Sequence, residues 1–175
     1  YNIREHTGFL RNIMIRVAAN TNEIMVNIVT SKDEPQILDT MLDSLITKFP
    51  NITSIVNNIT TRKAGVSMGE HQIVLHGNEY MLEKLGNYEF MISADSFFQT
   101  NTRQAEKLYN IILEESELTG SEIVYDLFCG TGSISLFLSK HTKMVYGFEL
   151  VMSAVQDDHE NNRRSIGFLK KDKVA

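Results

Sequence analysis

One cysteine, Cys129, is present in 175 residues, so neither an internal disulfide nor a cysteine-rich zinc or iron–sulfur site can be assembled from this chain. Long apolar runs are missing as well. None approaches the roughly 20 residues that a membrane-crossing helix needs. The opening YNIREHTGF lacks the charged and apolar regions of a secretory signal, so the expectation is a cytoplasmic protein with no membrane partner. Positive charge is scarce: 17 Lys and Arg against 22 Asp and Glu leave a net charge of −5. That balance argues against a free-standing, non-specific nucleic-acid binder. Arg62 with Lys63, and the run Arg163, Arg164, Lys170, Lys171 and Lys173, can form local basic patches or be plain solvated surface. No internal repeat or low-complexity tract interrupts the chain.

With 42% hydrophobic residues the chain can build a sizeable core. Apolar and polar residues alternate from Leu10 to Val17 and from Glu23 to Thr30, and Asn20, Thr21 and Asn22 supply turn chemistry between them, which predicts a β-hairpin. Ser31 and Glu34 followed by Pro35 signal a helix start. Ile37, Met41 and Leu45 then recur at helical spacing beside Leu38, Leu42 and Ile46, giving one apolar face that ends before Pro50. Ile52 to Ile59 reads as a strand. Short strands are expected around Gln72 to Leu75 and Tyr88 to Ile92, with turns at Gly77 and Gly86. Residues 1–94 therefore read as a small α+β layer, a helix on a mainly antiparallel sheet. His71 and His76 fall on opposite faces of a strand with no carboxylate cluster beside them, so no metal site is assigned.

The pattern changes between Ile92 and Phe97. Asn101 and Gln104 form a capping-box pair for an amphipathic helix through Ala105, Leu108 and Ile112 to about Leu118, where Thr119 and Gly120 stop it. From Ile123 to about Arg164, strand, glycine turn, helix, strand and helix alternate, the βαβα order of a parallel sheet. Residues 95–175 thus form the beginning of an α/β domain.

The stretch IVYDLFCGTGSI, Ile123 to Ile134, places Asp126 at a strand's end beside Gly130 and Gly132. Glycine lets backbone approach a ligand closely, and Glu149, at the end of the next apolar run, is where a doubly wound fold presents a carboxylate to ribose hydroxyls. A P-loop would follow its last glycine with lysine and then serine or threonine, but Ser133 and Ile134 follow Gly132. A dinucleotide fingerprint would place a third glycine where Ser135 stands. S-adenosylmethionine has no pyrophosphate to seat, and its sulfonium and ammonium charges favour nearby carboxylates. In ISADSFFQTN, exposing two adjacent phenylalanines would cost roughly 1.5–3 kcal/mol each, so both are expected to be buried or stacked. If that segment is extended, Phe97 and Gln99 share a side and Phe98 faces the core. Phe97 and Gln99 together suit a flat polar ring, although both phenylalanines can equally staple the domain junction.

SFFQTN, VYDLFCGTGSISLFLS and VYGFELVMSAVQDDHENN resemble the RNA uracil-5-methyltransferases, which make 5-methyluridine in 23S ribosomal RNA and in transfer RNA. HTGFLRNIMIR, SIVNNIT and GNEYMLEKLGNYEFMIS resemble that family's central domain, so the likeness covers nearly the whole chain. It implies a small α+β central domain followed by the first half of a Rossmann-like class I S-adenosylmethionine-dependent methyltransferase domain. It also implies that Gln99, Phe128, Ser133 and Glu149 contact the methyl donor beside Asp126, Gly130 and Gly132, and that Phe97 holds the target base. Some relatives have asparagine at the position of Ser133. The implied partner is RNA, ribosomal by preference, with transfer RNA or a non-catalytic RNA-binding scaffold as alternatives.

In the family a cysteine thiolate adds to C6 of uracil, C5 takes the methyl group, and a carboxylate base removes the C5 proton. The resemblance implies that both residues lie downstream of the glycine motif, beyond this chain's last residue. No catalytic residue is assigned here, and Cys129, inside the donor loop, is expected to be a small buried packing residue. An RNA-binding barrel and a four-cysteine iron–sulfur segment occur upstream in many relatives. The chain starts at Tyr1 without an initiator methionine and ends in KKDKVA, so a central fragment is expected, inactive alone and a weak binder of the donor. A fragment of this kind should leave an apolar sheet face and edge open, inviting self-association.

Overall fold

A computed structural model describes residues 1–63 and 69–150, together with Ala154 and Asn161. Internal contacts divide the chain into two compact units, residues 1–18 with 22–81 and residues 19–21 with 82–175.

In the first unit, β1 (Leu10–Val17) and β2 (Ile24–Thr30) pair antiparallel, with Val17 opposite Ile24 and Leu10 opposite Thr30. Helix α1 (Pro35–Lys48) carries the chain back across the sheet, so β3 (Ile52–Ile59) joins β2 in parallel. Strand β4 (His71–Gly77) closes the order β1-β2-β3-β4 antiparallel to β3. The central pair is thus parallel inside a sheet whose two outer pairings are antiparallel.

Val26, Ile28, Leu38, Leu42, Ile52 and Ile55 form the core, with Met41, Leu45 and Ile46 partly buried against it. Ile37, expected on the buried face, is exposed. Residues four apart drift round a helix, and a stripe centred on Leu38 and Leu42 leaves Ile37 on its outer flank. The helix start also differs in detail. Glu34 is the N-cap but its side chain makes no capping bond, Pro35 opens the first turn, and the Ser31 hydroxyl donates instead to the Gly8 carbonyl at 2.7 Å. At Gly77, φ is +68° and a Cβ would lie 1.9 Å from the Thr53 carbonyl oxygen, so only glycine fits.

The second unit opens with strand β5 (Tyr80–Leu85), whose first two residues belong to the first unit, and β6 (Tyr88–Ser93), a hairpin turning at Gly86. Sequence patterning found β6 but not β5, because Glu83 sits on the buried side between Met81 and Leu85. In α2 (Thr102–Glu115) the Asn101 side chain accepts from the Gln104 N–H at 3.1 Å, as its cap. Its buried residues are Thr102, Ala105 and Tyr109, whereas Leu108 is exposed. The helix stops at Glu115, short of Leu118, where Ser116 caps it and Glu117 turns to φ +47°.

Strand β7 (Ile123–Leu127), helix α3 (Ser133–Ser139) and strand β8 (Met144–Phe148) complete a β-α-β unit, with β7 and β8 parallel and Asp126 opposite Gly147. This is the Rossmann-like arrangement expected at the start of a class I methyltransferase domain. Tyr88, Phe137 and Tyr109 pack ring against ring, at 6.2 and 5.7 Å between centroids. On the opposite face Ile123, Tyr125 and Leu127 are exposed, with Tyr125 stacked on Tyr146 at 5.6 Å. The second-half helix and the basic run from Arg163 lie outside the described residues, apart from Ala154 and Asn161.

Glu122 secures the entry to β7. Its carboxylate accepts from the Thr119 hydroxyl at 2.6 Å and from the Thr119 and Gly120 N–H groups at 2.9 and 3.0 Å. These bonds, the Thr119 hydroxyl foremost, hold its pKa at about 2 instead of 4.5. A folded value below the unfolded one means that this contribution is complete above pH 4.5 and is lost as pH falls through about 2. Carboxyl-detected NMR titration should find the Glu122 midpoint near 2, and Thr119→Val should raise it; an identical midpoint in the variant rejects the assignment.

Candidate functional site

The site grows from the end of β7. Asp126 accepts a hydrogen bond from the Ser135 hydroxyl at 2.7 Å, so its carboxylate is fixed by the first turn of α3. Ser135 is the residue that replaces a third glycine. It is fully buried, small enough for the helix to sit close to the strand, and it carries the hydroxyl that orients the acid.

Between strand and helix the backbone takes three left-handed conformations, at Phe128 (φ +64°), Gly130 (φ +58°) and Gly132 (φ +73°). Glycine adopts these without penalty. Phe128 carries a cost of about 1–2 kcal/mol, and its ring is 79% exposed. The loop is closed by Gly132 N–H donating to the Cys129 carbonyl at 3.0 Å and by Cys129 N–H donating to Phe148 at 3.1 Å. A Cβ built on Gly130 would meet nothing within 4 Å, so the loop borders open space there.

Glu149 reaches back to this loop. One carboxylate oxygen accepts from Gly130 N–H at 3.0 Å and the other from Leu150 N–H at 2.7 Å. Asp126, Gly130, Gly132 and Glu149 thus stand around one strand-end loop.

Ser133 opens α3, and its hydroxyl is 2.8 Å from the Tyr109 hydroxyl of α2. Burial raises the Tyr109 pKa, the Ser133 bond opposes the rise and the Asp126 carboxylate adds to it, so the phenol stays protonated at neutral pH. Ser135 and Tyr109 were not picked out from the sequence. A hydroxyl at the third-glycine position was the available signal for Ser135, while Tyr109 lay hidden among ordinary apolar helix positions.

Cys129 is half-buried, not buried as expected. A Cβ on Gly147 would lie 2.9 Å from its Sγ, so the thiol fills the notch that Gly147 leaves in β8. Among the described residues no group of three or more His, Cys, Asp or Glu is placed to hold a metal ion.

Phe97, Phe98 and Gln99 follow the Ser93–Ser96 turn that ends β6. Phe98 rests on Phe90 at 5.6 Å between ring centroids and turns inward as expected. Phe97 does not: its ring is 70% exposed, against the expectation of burial or stacking. Transfer energetics fixes the average cost of exposing a ring, but neighbouring backbone geometry decides which of two adjacent rings enters the core. Gln99 is half-buried beside it. The hydrogen bonds that close the glycine loop are made by other residues, so Phe97 and Gln99 are not tied directly into it.

No family model matches the chain. Among curated proteins it is 44% identical over 162 residues to an uncharacterized RNA methyltransferase of Chlorobaculum tepidum, covering 92% of this chain and 34% of that protein. It is 39% identical to another from Clostridium tetani, covering 97% and 38%. Among solved structures, a Pyrococcus abyssi tRNA (uracil-54, C5)-methyltransferase in complex with S-adenosyl-L-homocysteine matches with TM-score 0.75 and 29% identity, over 100% of this chain and 41% of that one. Over nearly its whole length the chain resembles RNA methyltransferases, and the P. abyssi likeness points among them to the uracil-5 enzymes. An M. jannaschii tRNA methyltransferase at 16% identity and TM-score 0.55, covering 99% of this chain and 50% of that one, shares the fold alone.

The glycine loop, Glu149 and the segment Phe97 to Gln99 all lie within the span matched to the P. abyssi enzyme. The chain spans about a third of the length of the curated relatives it matches, 34% and 38% in the two cases above. No helix among the described residues is long and apolar enough to cross a membrane.

Proposed function

We propose that this chain is part of a cytoplasmic, S-adenosylmethionine-dependent RNA methyltransferase that forms 5-methyluridine, in ribosomal RNA by preference. The observation that carries the reading is the Glu149 carboxylate bonded to Gly130 N–H beside a loop opened by left-handed glycines. The residues present suit the donor. Carboxylates beside the loop would complement its positive groups, Glu149 would take its ribose hydroxyls, and the open side of Gly130 admits close approach. Gln99, Phe128 and Ser133 complete the proposed contacts, while exposed Phe97 offers a ring to the target uracil. When bound, S-adenosylmethionine supplies an electrophilic methyl group on sulfur. This chain's own residues bind and orient it, and the segment from Asp95 onward carries every residue named for that role.

We place the nucleophilic cysteine and base glutamate outside this chain, which spans about a third of its relatives' length, and expect the chain alone to be inactive. An iron–sulfur cluster, if the parent has one, belongs to its other segments. Transfer RNA is the second reading, favoured by the likeness to the P. abyssi tRNA enzyme. Incubating the full-length protein with S-adenosylmethionine and unmodified ribosomal or transfer RNA, then locating the new base by mass spectrometry, separates the two. Absence of 5-methyluridine in both RNAs refutes the proposal.

We also propose that the isolated chain self-associates through the exposed face of β7 carrying Ile123, Tyr125 and Leu127. Light scattering should show mass rising with concentration, and Tyr125→Lys with Leu127→Lys should suppress it. A constant monomer mass for the unmodified chain counts against this.

A further inference from the structure

Asn161 is fully buried, at 0% exposure, and every hydrogen-bonding site of its amide group is directed at backbone. Its Oδ1 accepts from Met91 N–H at 2.6 Å, and its Nδ2 donates to the Met91 carbonyl at 3.3 Å and to the Thr131 carbonyl at 3.2 Å. Taking both the N–H and the C=O of one strand residue is what a neighbouring strand does, so the side chain extends the β6 ladder by one artificial rung. The third bond ends in the glycine loop, on the residue between Gly130 and Gly132.

Met91 leads directly into the segment proposed to address donor and base. Beyond it, Ser96 N–H donates to the Ser93 carbonyl at 3.2 Å, and the Ser93 and Ser96 hydroxyls lie 2.7 Å apart, fixing the turn. At the far end Asn101 caps α2, and the Thr102 hydroxyl donates to buried Glu83 at 2.7 Å. The stretch Phe97 to Gln99 is therefore held at both ends. Asn161 bonds the strand that leads into its near end to the loop that bears Gly130.

We infer that Asn161 is a positioning residue that sets the spacing between the Phe97–Gln99 segment and the glycine loop, and so couples recognition of the target base to binding of the methyl donor. This inference rests on the function proposed above. An apolar residue would remove the partner of three backbone groups, one buried and two half-buried, and aspartate would turn an oxygen toward two carbonyls, so neither reproduces the link. A buried amide serving packing alone would have no need of a partner in the loop.

The test uses the full-length protein. Asn161→Ala and Asn161→Asp should raise the KM for S-adenosylmethionine at least about tenfold while kcat at saturating donor stays within about threefold, the signature of lost pre-organisation of the binding loop. Amide exchange should accelerate at 91–93 and 130–133 and stay unchanged elsewhere. In the unmodified protein, S-adenosylhomocysteine should slow exchange at Met91 as well as in the loop, a result that needs no variant to fold. Variants with wild-type KM, loss of protection spread evenly over the chain, or a ligand effect confined to the loop would each overturn the inference. If the unmodified protein fails to bind S-adenosylhomocysteine at all, it is the proposed function that fails.

Discussion

Replacing Glu83 with alanine should lower the stability of the second unit by about 3–5 kcal/mol, the cost of removing one side of a buried charge-assisted network. The carboxylate is 1% exposed and accepts four hydrogen bonds. Oε2 takes Ala19 N–H and the Thr102 hydroxyl, each at 2.7 Å, and Oε1 takes Asn20 N–H at 3.0 Å and Lys84 N–H at 2.8 Å. Four donors replace the water that an ionised carboxylate needs, which is why a charge can sit on the buried side of β5. Alanine strands all four. Glutamine keeps the shape but points an NH2 group at donors, so Glu83→Gln should cost less than alanine yet more than about 1 kcal/mol. Urea unfolding followed by circular dichroism reads both. An Ala variant with an unmoved midpoint would mean that water replaces the carboxylate without penalty.

The same residue shows where sequence patterning stops. Alternation marked β1 and β2, an apolar-rich run marked β3, and the hairpin turn and the helix after Pro35 followed from local chemistry. Strand β5 escaped because a carboxylate occupies its buried side, and three of its four donors, Ala19, Asn20 and Thr102, are far away in sequence. The candidate site divides in the same way. Asp126, Gly130, Gly132 and Glu149 were legible because a strand-end loop needs flexible backbone and a carboxylate at set spacing. Tyr109 and Asn161 act through contacts that no spacing rule encodes, a phenol crossing from α2 to Ser133 and an amide crossing from residue 161 to Met91 and Thr131. Exposed Phe97 and inward Phe98 are told apart only by the backbone after the Ser93–Ser96 turn.

Glu149→Ala should weaken S-adenosylhomocysteine binding by the full-length protein at least about 30-fold, some 2 kcal/mol, while moving the unfolding midpoint little. Two losses combine. The carboxylate proposed to face the ribose disappears, and Gly130 N–H loses the acceptor that holds the loop at 3.0 Å. Folding is spared because Glu149 is only half-buried and lies beside an open loop. Glu149→Gln keeps one acceptor oxygen for Gly130 or Leu150 but not both, and turns an amide NH2 toward the other N–H, so its affinity should fall between the two. This ordering, wild type over glutamine over alanine, separates recognition by charge and acceptor geometry from a general loosening of the loop. Loosening alone would put both variants at the same affinity. Titration calorimetry on the three proteins reads the order, and an alanine variant that binds as tightly as wild type would remove Glu149 from the donor site and with it the strand-end acid on which the proposed function stands.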